Sequence, residues 1–199
     1  MLLQSHYNHI TEVRLKKFYA DFNNAIRMSE IENGPYSYWD DFWATHLTNV
    51  SNTKRVITQY LSPYLKIQSI DMINNCPYFV LPDGSAFSTS PSHPSGLTDI
   101  FFYPMNYKKN CLRYKAGVNV FIFSFRRTSP NASSYDTTYW KYVNDKGLVP
   151  YLYSWDGKIE TLYTHKTYGC KNGNGYMCSA VIWKNNWKIP KDYPAKIRY

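Results

Sequence analysis

The feature that most restricts what this chain can become is a stripe of apolar residues near its start. Leu15, Phe18, Phe22, Ala25, Ile26 and Ser29 recur at steps of three and four, which aligns them along one side of an α-helix. Arg14, Lys16, Lys17, Asp21, Asn23 and Arg27 lie off that stripe. Asn33-Gly34-Pro35 ends the pattern, because Gly supplies a left-handed stop and Pro cannot continue a helix. A helix over 5–33 would be a rod of about 40 Å at about 1.5 Å per residue, longer than the mean globular helix and able to overhang a small domain.

The segment after the helix is too apolar for a free linker. Tyr36, Tyr38, Trp39, Phe42 and Trp43 fall within a few residues of one another and are expected to pack under it. Thr53 to Leu61 reads as a second, shorter helix closed by Pro63. The chain then turns to β-patterning. Tyr78 to Leu81 reads as a strand, Pro82-Asp83-Gly84-Ser85 as a turn and Ala86 to Thr89 as the returning arm of a hairpin. Asp99 to Tyr103 is another strand. Val118 to Phe125 (VNVFIFSF) is the strongest; both its faces are apolar, so it is expected to lie centrally with the long helix over one face. Ser90 to Gly96 and Ser129 to Thr138 are loops by composition. YMCSAVIWK, 176–184, favours a helix, since Cys178, Val181 and Ile182 share a face and Asn185-Asn186 offers a stop. The proline-bearing tail after it is extended, with Trp187 and Tyr193 expected to fold back onto the body. The fold class is therefore α+β: one domain over 1–199, with its helix at 5–33, a connecting region at 34–75, the antiparallel sheet at 76–127 and a C-terminal region at 128–199.

The 199 residues include 20 Tyr and carry a formal charge of +9 with a pI near 9.3. Such a balance allows an acidic partner, whether nucleic acid, acidic glycan or an anionic membrane surface. The densest basic cluster in the middle of the chain is Lys108, Lys109, Arg113 and Lys115. It includes no glycine-rich phosphate loop, so a solvated basic face and a polyanion contact both remain readings of it, the second making the chain a secreted basic binding module for acidic glycan or nucleic acid. No apolar run reaches the roughly 18 residues of a membrane span. MLLQSHYNHI has neither the charged start nor the apolar core of a signal peptide.

Motifs of catalysis are missing from the sequence. His6, His9, His46, His93 and His165 form no metal-protease spacing, and no nucleophile elbow occurs. Asp83-Gly84-Ser85 has the residue order of a hairpin turn rather than of an aspartic-protease loop. No catalytic residue, metal or cofactor is assigned. Asn49-Val50-Ser51 and Asn131-Ala132-Ser133 are glycosylation triplets of the kind an Asn- and Ser-rich chain produces by chance.

The cysteines say more. Cys170 and Cys178 in CKNGNGYMC are too far apart for a zinc knuckle or a C-x-x-C redox pair. A disulfide suits seven flexible intervening residues, and closing that loop is worth about 2.6 kcal/mol in the chain-entropy account. Pairing Cys76 with Cys111 rests only on elimination, would be worth about 3.8 kcal/mol, and leaves two free thiols as the alternative. An even cysteine count is compatible with an oxidising compartment.

Four segments together resemble the pilin-like proteins of bacterial type II secretion systems and type IV pili, nearest to prepilin-type proteins with large soluble domains. VRLKKFYADFNNAIRMSEIENGPYSYWD looks like the exposed half of the pilin helix and its exit, and YLSPYLKI like the next segment of such proteins. FVLPDGSAFS and AGVNVFIFSF are similar to the sheet, and YGCKNGNGYMCSAVIWKNNWKIPKDYP to the closing segment. They occur in family order and cover most of the chain. The resemblance implies a long helix on an antiparallel sheet, a cysteine-closed C-terminal region and a non-enzymatic subunit. Such subunits stack by their helices into a filament or pseudopilus anchored in the inner membrane. It also implies an apolar helical half and a cleaved leader ahead of Leu2, neither of which lies within these residues. YPMNYKKNCLRYKAG departs from the family's glycine-rich loop, and no dense carboxylate cluster matches the calcium site of some pseudopilins. Periodicity alone suits an ordinary core helix as well; the resemblance is what points the far side of the helix at neighbouring subunits.

Overall fold

A computed structural model describes residues 2–39, 54–74, 76–89, 97–126, 141–143 and 146–199. The expected positions of Phe42 and Trp43, of His46 and His93, and of the 90–96 and 129–138 loops lie outside these residues. The architecture is α+β. Helix α1, Leu2–Asn33, lies on a six-stranded antiparallel sheet, and a disulfide joins Cys170 to Cys178 near the C-terminus.

Six strands run as a meander, each beside the next in sequence: β1 Ser69–Ile73, β2 Cys76–Val80, β3 Ala86–Thr89, β4 Leu97–Tyr103, β5 Phe121–Arg126 and β6 Leu148–Pro150. A short helix, α2 Tyr107–Asn110, intervenes between β4 and β5, and two more follow β6: α3 Ile159–Thr164 and α4 Cys178–Lys184. The second helix expected at Thr53–Leu61 is present as residues 54–56 running into a π-helical turn, Ile57–Leu61. Gly84, at φ +78°, makes the β2–β3 turn, with Asp83 Oδ1 accepting from the Ser85 N–H at 3.0 Å.

Period-two alternation sorts the sheet between two apolar clusters. Phe79, Phe87, Phe102, Phe121, Phe123 and Phe125 face α1; Tyr78, Val80, Tyr103, Ile122 and Val149 face α3 and α4. Register puts Phe79 opposite Phe87 and Phe102 opposite Phe121, which builds an aromatic floor for the helix. Phe18 stacks on Phe102 at 4.2 Å and meets Phe87 and Phe123 at 5.5 Å. Removing a ring so enclosed costs about 3–5 kcal/mol.

Two sequence expectations change here. The sheet exceeds 76–127 at both ends, since β1 and β6 were not legible as strands. The β5 strand begins at Phe121, because residues 117–119 form a turn with Gly117 at φ +76°. It lies between β4 and β6, next to the sheet edge rather than at its centre. Its two apolar faces arise because helices cover both sides of the sheet.

Of the residues expected beneath the helix, Tyr36 and Trp39 are buried, whereas Tyr38 is 76 % exposed, because the 3₁₀ turn Tyr36–Tyr38 directs it away from the side on which Tyr36 packs. Gly34, at φ +72°, and Pro35 end α1. Trp39 stacks on Tyr60 at 4.5 Å, and its indole N–H donates to the Gly34 carbonyl at 3.0 Å. The tail returns along α1: Trp187 meets Tyr19 at 5.0 Å, and Tyr199 meets Tyr7 at 5.5 Å. Tyr193 donates to the Gly117 carbonyl at 2.7 Å, while Glu12 accepts from the Ile189 N–H and from the Lys188 ammonium, each at 2.9 Å.

Candidate functional site

Helix α1 offers two different sides. Leu15, Phe18, Phe22, Ala25 and Ile26, with Thr11 and Ser29, are buried against the sheet, as the periodicity requires. The apolar residues left in solvent are Leu2, Leu3, Val13, Met28 and Ile31, with exposures of 91 % at Leu2 and 77 % at Ile31. At about 100° per residue these five fall within one sector about 100° wide, centred about 140° round from the buried stripe. The same sector also holds His6, Lys17, Ala20, Asp21 and Asn24, so this side of the helix is mixed, with exposed apolar side chains near both ends and at Val13. Lys17 and Asp21, four residues apart, pair on that face.

Close backbone approach seats the disulfide loop. A Cβ at Gly175 would lie 2.4 Å from the Ala116 carbonyl oxygen, and one at Gly117 would lie 2.3 Å from Cys178 Sγ. Glycine at both positions lets the 170–178 loop rest directly on the turn that starts β5. The bridge has a Cα separation of 4.6 Å.

Cys76 and Cys111 are not paired, which corrects the second expected bridge. Cys76 ends the β1–β2 hairpin opposite Ile73, whereas Cys111 comes directly after α2 and its thiol donates to the Lys108 carbonyl at 3.3 Å. Both are half-buried against the α3–α4 side cluster as free thiols. Elimination failed because it used the number of cysteines without their places in the sheet.

The basic cluster divides. Lys108 is committed to Asp71 at 3.1 Å, and Asp71 also accepts from the Tyr107 hydroxyl at 2.5 Å. The Tyr107 hydrogen bond first, then Lys108, holds the Asp71 carboxyl below its usual range. Lys109, Arg113 and Lys115 are exposed and have no carboxylate partner among the described residues.

Arg113 and Lys115 flank Tyr114, which begins a feature the sequence did not disclose. The Tyr114 ring meets Phe101 at 5.6 Å, Phe101 meets Tyr176 at 6.1 Å, and Tyr176 meets Tyr151 at 5.1 Å. Tyr168 continues the line at 5.4 Å from Tyr151, with Tyr153 and His165 beyond it at 5.6 and 5.2 Å. These rings come from β4, the α2–β5 loop, the segment after β6 and the loop bearing the disulfide. Twenty tyrosines were a signal of aromatic surface, but nothing in their spacing said which would meet. His165 serves as a turn cap, its Nδ1 accepting from the Thr167 and Tyr168 N–H groups at 3.2 and 3.1 Å.

Among the described residues no group of three or more His, Cys, Asp or Glu is placed to hold a metal ion, and no helix is long and apolar enough to cross a membrane. Residues 1–197 match the family of unknown function DUF6613. The chain belongs to that family. No curated protein and no solved structure matches it.

Proposed function

We propose that this member of the family is the soluble domain of a pilin-like structural subunit, exported and held in the bacterial envelope or in a filament. It would act by packing against other subunits rather than by catalysis. The observation that carries the reading is α1, buried on its own sheet along one side and exposing Leu2, Leu3, Val13, Met28 and Ile31 along another. The disulfide and the segment resemblance support the same reading, since a stapled C-terminal region suits an oxidising compartment.

The experiment is chemical cross-linking of the protein in its native bacterium after separation of cytosol, envelope and sheared surface material. Subunit ladders in the envelope or surface fraction are expected. Val13→Arg and Ile31→Arg, both at exposed positions, should abolish the ladders without lowering the urea midpoint of the purified domain. A cytosolic protein, or ladders indifferent to both substitutions, would overturn the proposal.

A further inference from the structure

The line of rings on the disulfide side of the sheet has the composition of a binding platform. Tyr114 is 49 % exposed and Tyr153 38 %, while Phe101, His165, Tyr168 and Tyr176 are half-buried, so none of the six is sealed from solvent. Tyr151 lies buried beneath them and supports Tyr168 and Tyr176. The loops that carry these rings also carry Arg113, Lys115, Lys166 and Lys171, all exposed and none paired with a carboxylate among the described residues.

We propose that this surface binds single-stranded nucleic acid, its rings stacking on bases and Arg113, Lys115, Lys166 and Lys171 meeting phosphates. Three features select that ligand. Rings succeed one another at 5.1–6.4 Å, a continuous track rather than an isolated aromatic. Cations and partly exposed rings occur on the same loops, so one surface offers partners to both the phosphates and the bases of a strand. Reading a duplex groove takes a helix or ribbon that can enter it, whereas α4, of seven residues, packs on the sheet and α3, of six, packs on α4. The platform is remote from the exposed face of α1, and the inference does not rest on the subunit reading.

The test measures binding of the 199-residue chain by fluorescence anisotropy with labelled oligothymidine, an abasic strand of equal length, the corresponding duplex, and heparin as competitor. Oligothymidine should bind at least about tenfold more tightly than the abasic strand, because stacking adds to the phosphate contacts. Raising salt from about 50 to about 200 mM should weaken it further, through release of counterions. Tyr114→Ala with Tyr153→Ala should cost about tenfold or more, and Tyr114→Phe with Tyr153→Phe should restore most of that loss. Arg113→Gln with Lys115→Gln should lessen the salt dependence. Equal affinity for the abasic strand, equal or tighter duplex binding, complete displacement by heparin at equal charge, or no binding would each overturn the proposal. Loss of filament assembly with this binding retained would reject the subunit reading alone.

Discussion

Asn23 projects from α1 to the backbone of β6. There its amide donates to the Leu148 carbonyl at 3.0 Å, and its oxygen accepts from the Leu148 N–H at 2.9 Å. One helical side chain thus supplies the two bonds that a neighbouring strand would make. The geometry requires glycine next door: Gly147 has φ +68°, and a Cβ there would lie 2.4 Å from Asn23 Oδ1. Asn23→Ala should destabilise the domain by about 1–3 kcal/mol, since it leaves two backbone groups without protein partners. Gly147→Ala should cost at least about 1 kcal/mol from the left-handed backbone, before any clash. Urea midpoints measure both, and a change within about 0.5 kcal/mol for either would contradict the assignment. Asn23 stood off the apolar stripe in the sequence and was legible only as a polar helix residue. Its partner is 125 positions away.

The staple belongs to the scale of elements, because it ties the start of α4 to the loop before it, which rests on the turn before β5. Replacing Cys170 and Cys178 by Ser should cost about 2–3 kcal/mol. Amide exchange should rise in the 170–178 loop and the 115–120 turn, with the β2–β3 hairpin little changed. Faster exchange confined to the hairpin would contradict that placement. Alkylating the denatured chain should modify Cys76 and Cys111 alone, and all four cysteines after reduction; four reactive thiols without reduction would overturn both assignments. Elements with a strong period were readable in advance: α1, the β2–β3 hairpin, β5 and α4. The edge strands were not. Burial along Ser69–Ile73 alternates only weakly, and Leu148–Pro150 is three residues ending in proline, so neighbours rather than intrinsic pattern make them strands.

Tyrosine burial on both sides of the sheet gives the whole molecule an alkaline limit. Burial, ahead of every other cause, raises Tyr103, to about 12, and raises Tyr78, Tyr176, Tyr193 and Tyr199 as well. Unfolded tyrosines titrate near about 10. A folded value above the unfolded one contributes stability that is complete below about pH 10 and is lost as pH rises through the folded value. Urea midpoints should therefore hold from neutral pH to about pH 10 and then fall steeply toward about pH 12. Tyrosinate absorbance should develop in two stages, exposed rings before buried ones. A single transition near about pH 10 with no loss of stability would contradict this burial.

Local periodicity and turn chemistry, which depend on residues a few positions apart, made the α+β class, the buried stripe, the β2–β3 turn and the 170–178 disulfide legible in the sequence. Contacts between residues far apart in the chain were decided only by the tertiary structure. Folding left Cys76 and Cys111 free, committed Lys108 to Asp71 and set Asn23 against β6. It also brought rings from four segments into one line, because distance in space between non-neighbouring residues is set by how the sheet and helices pack.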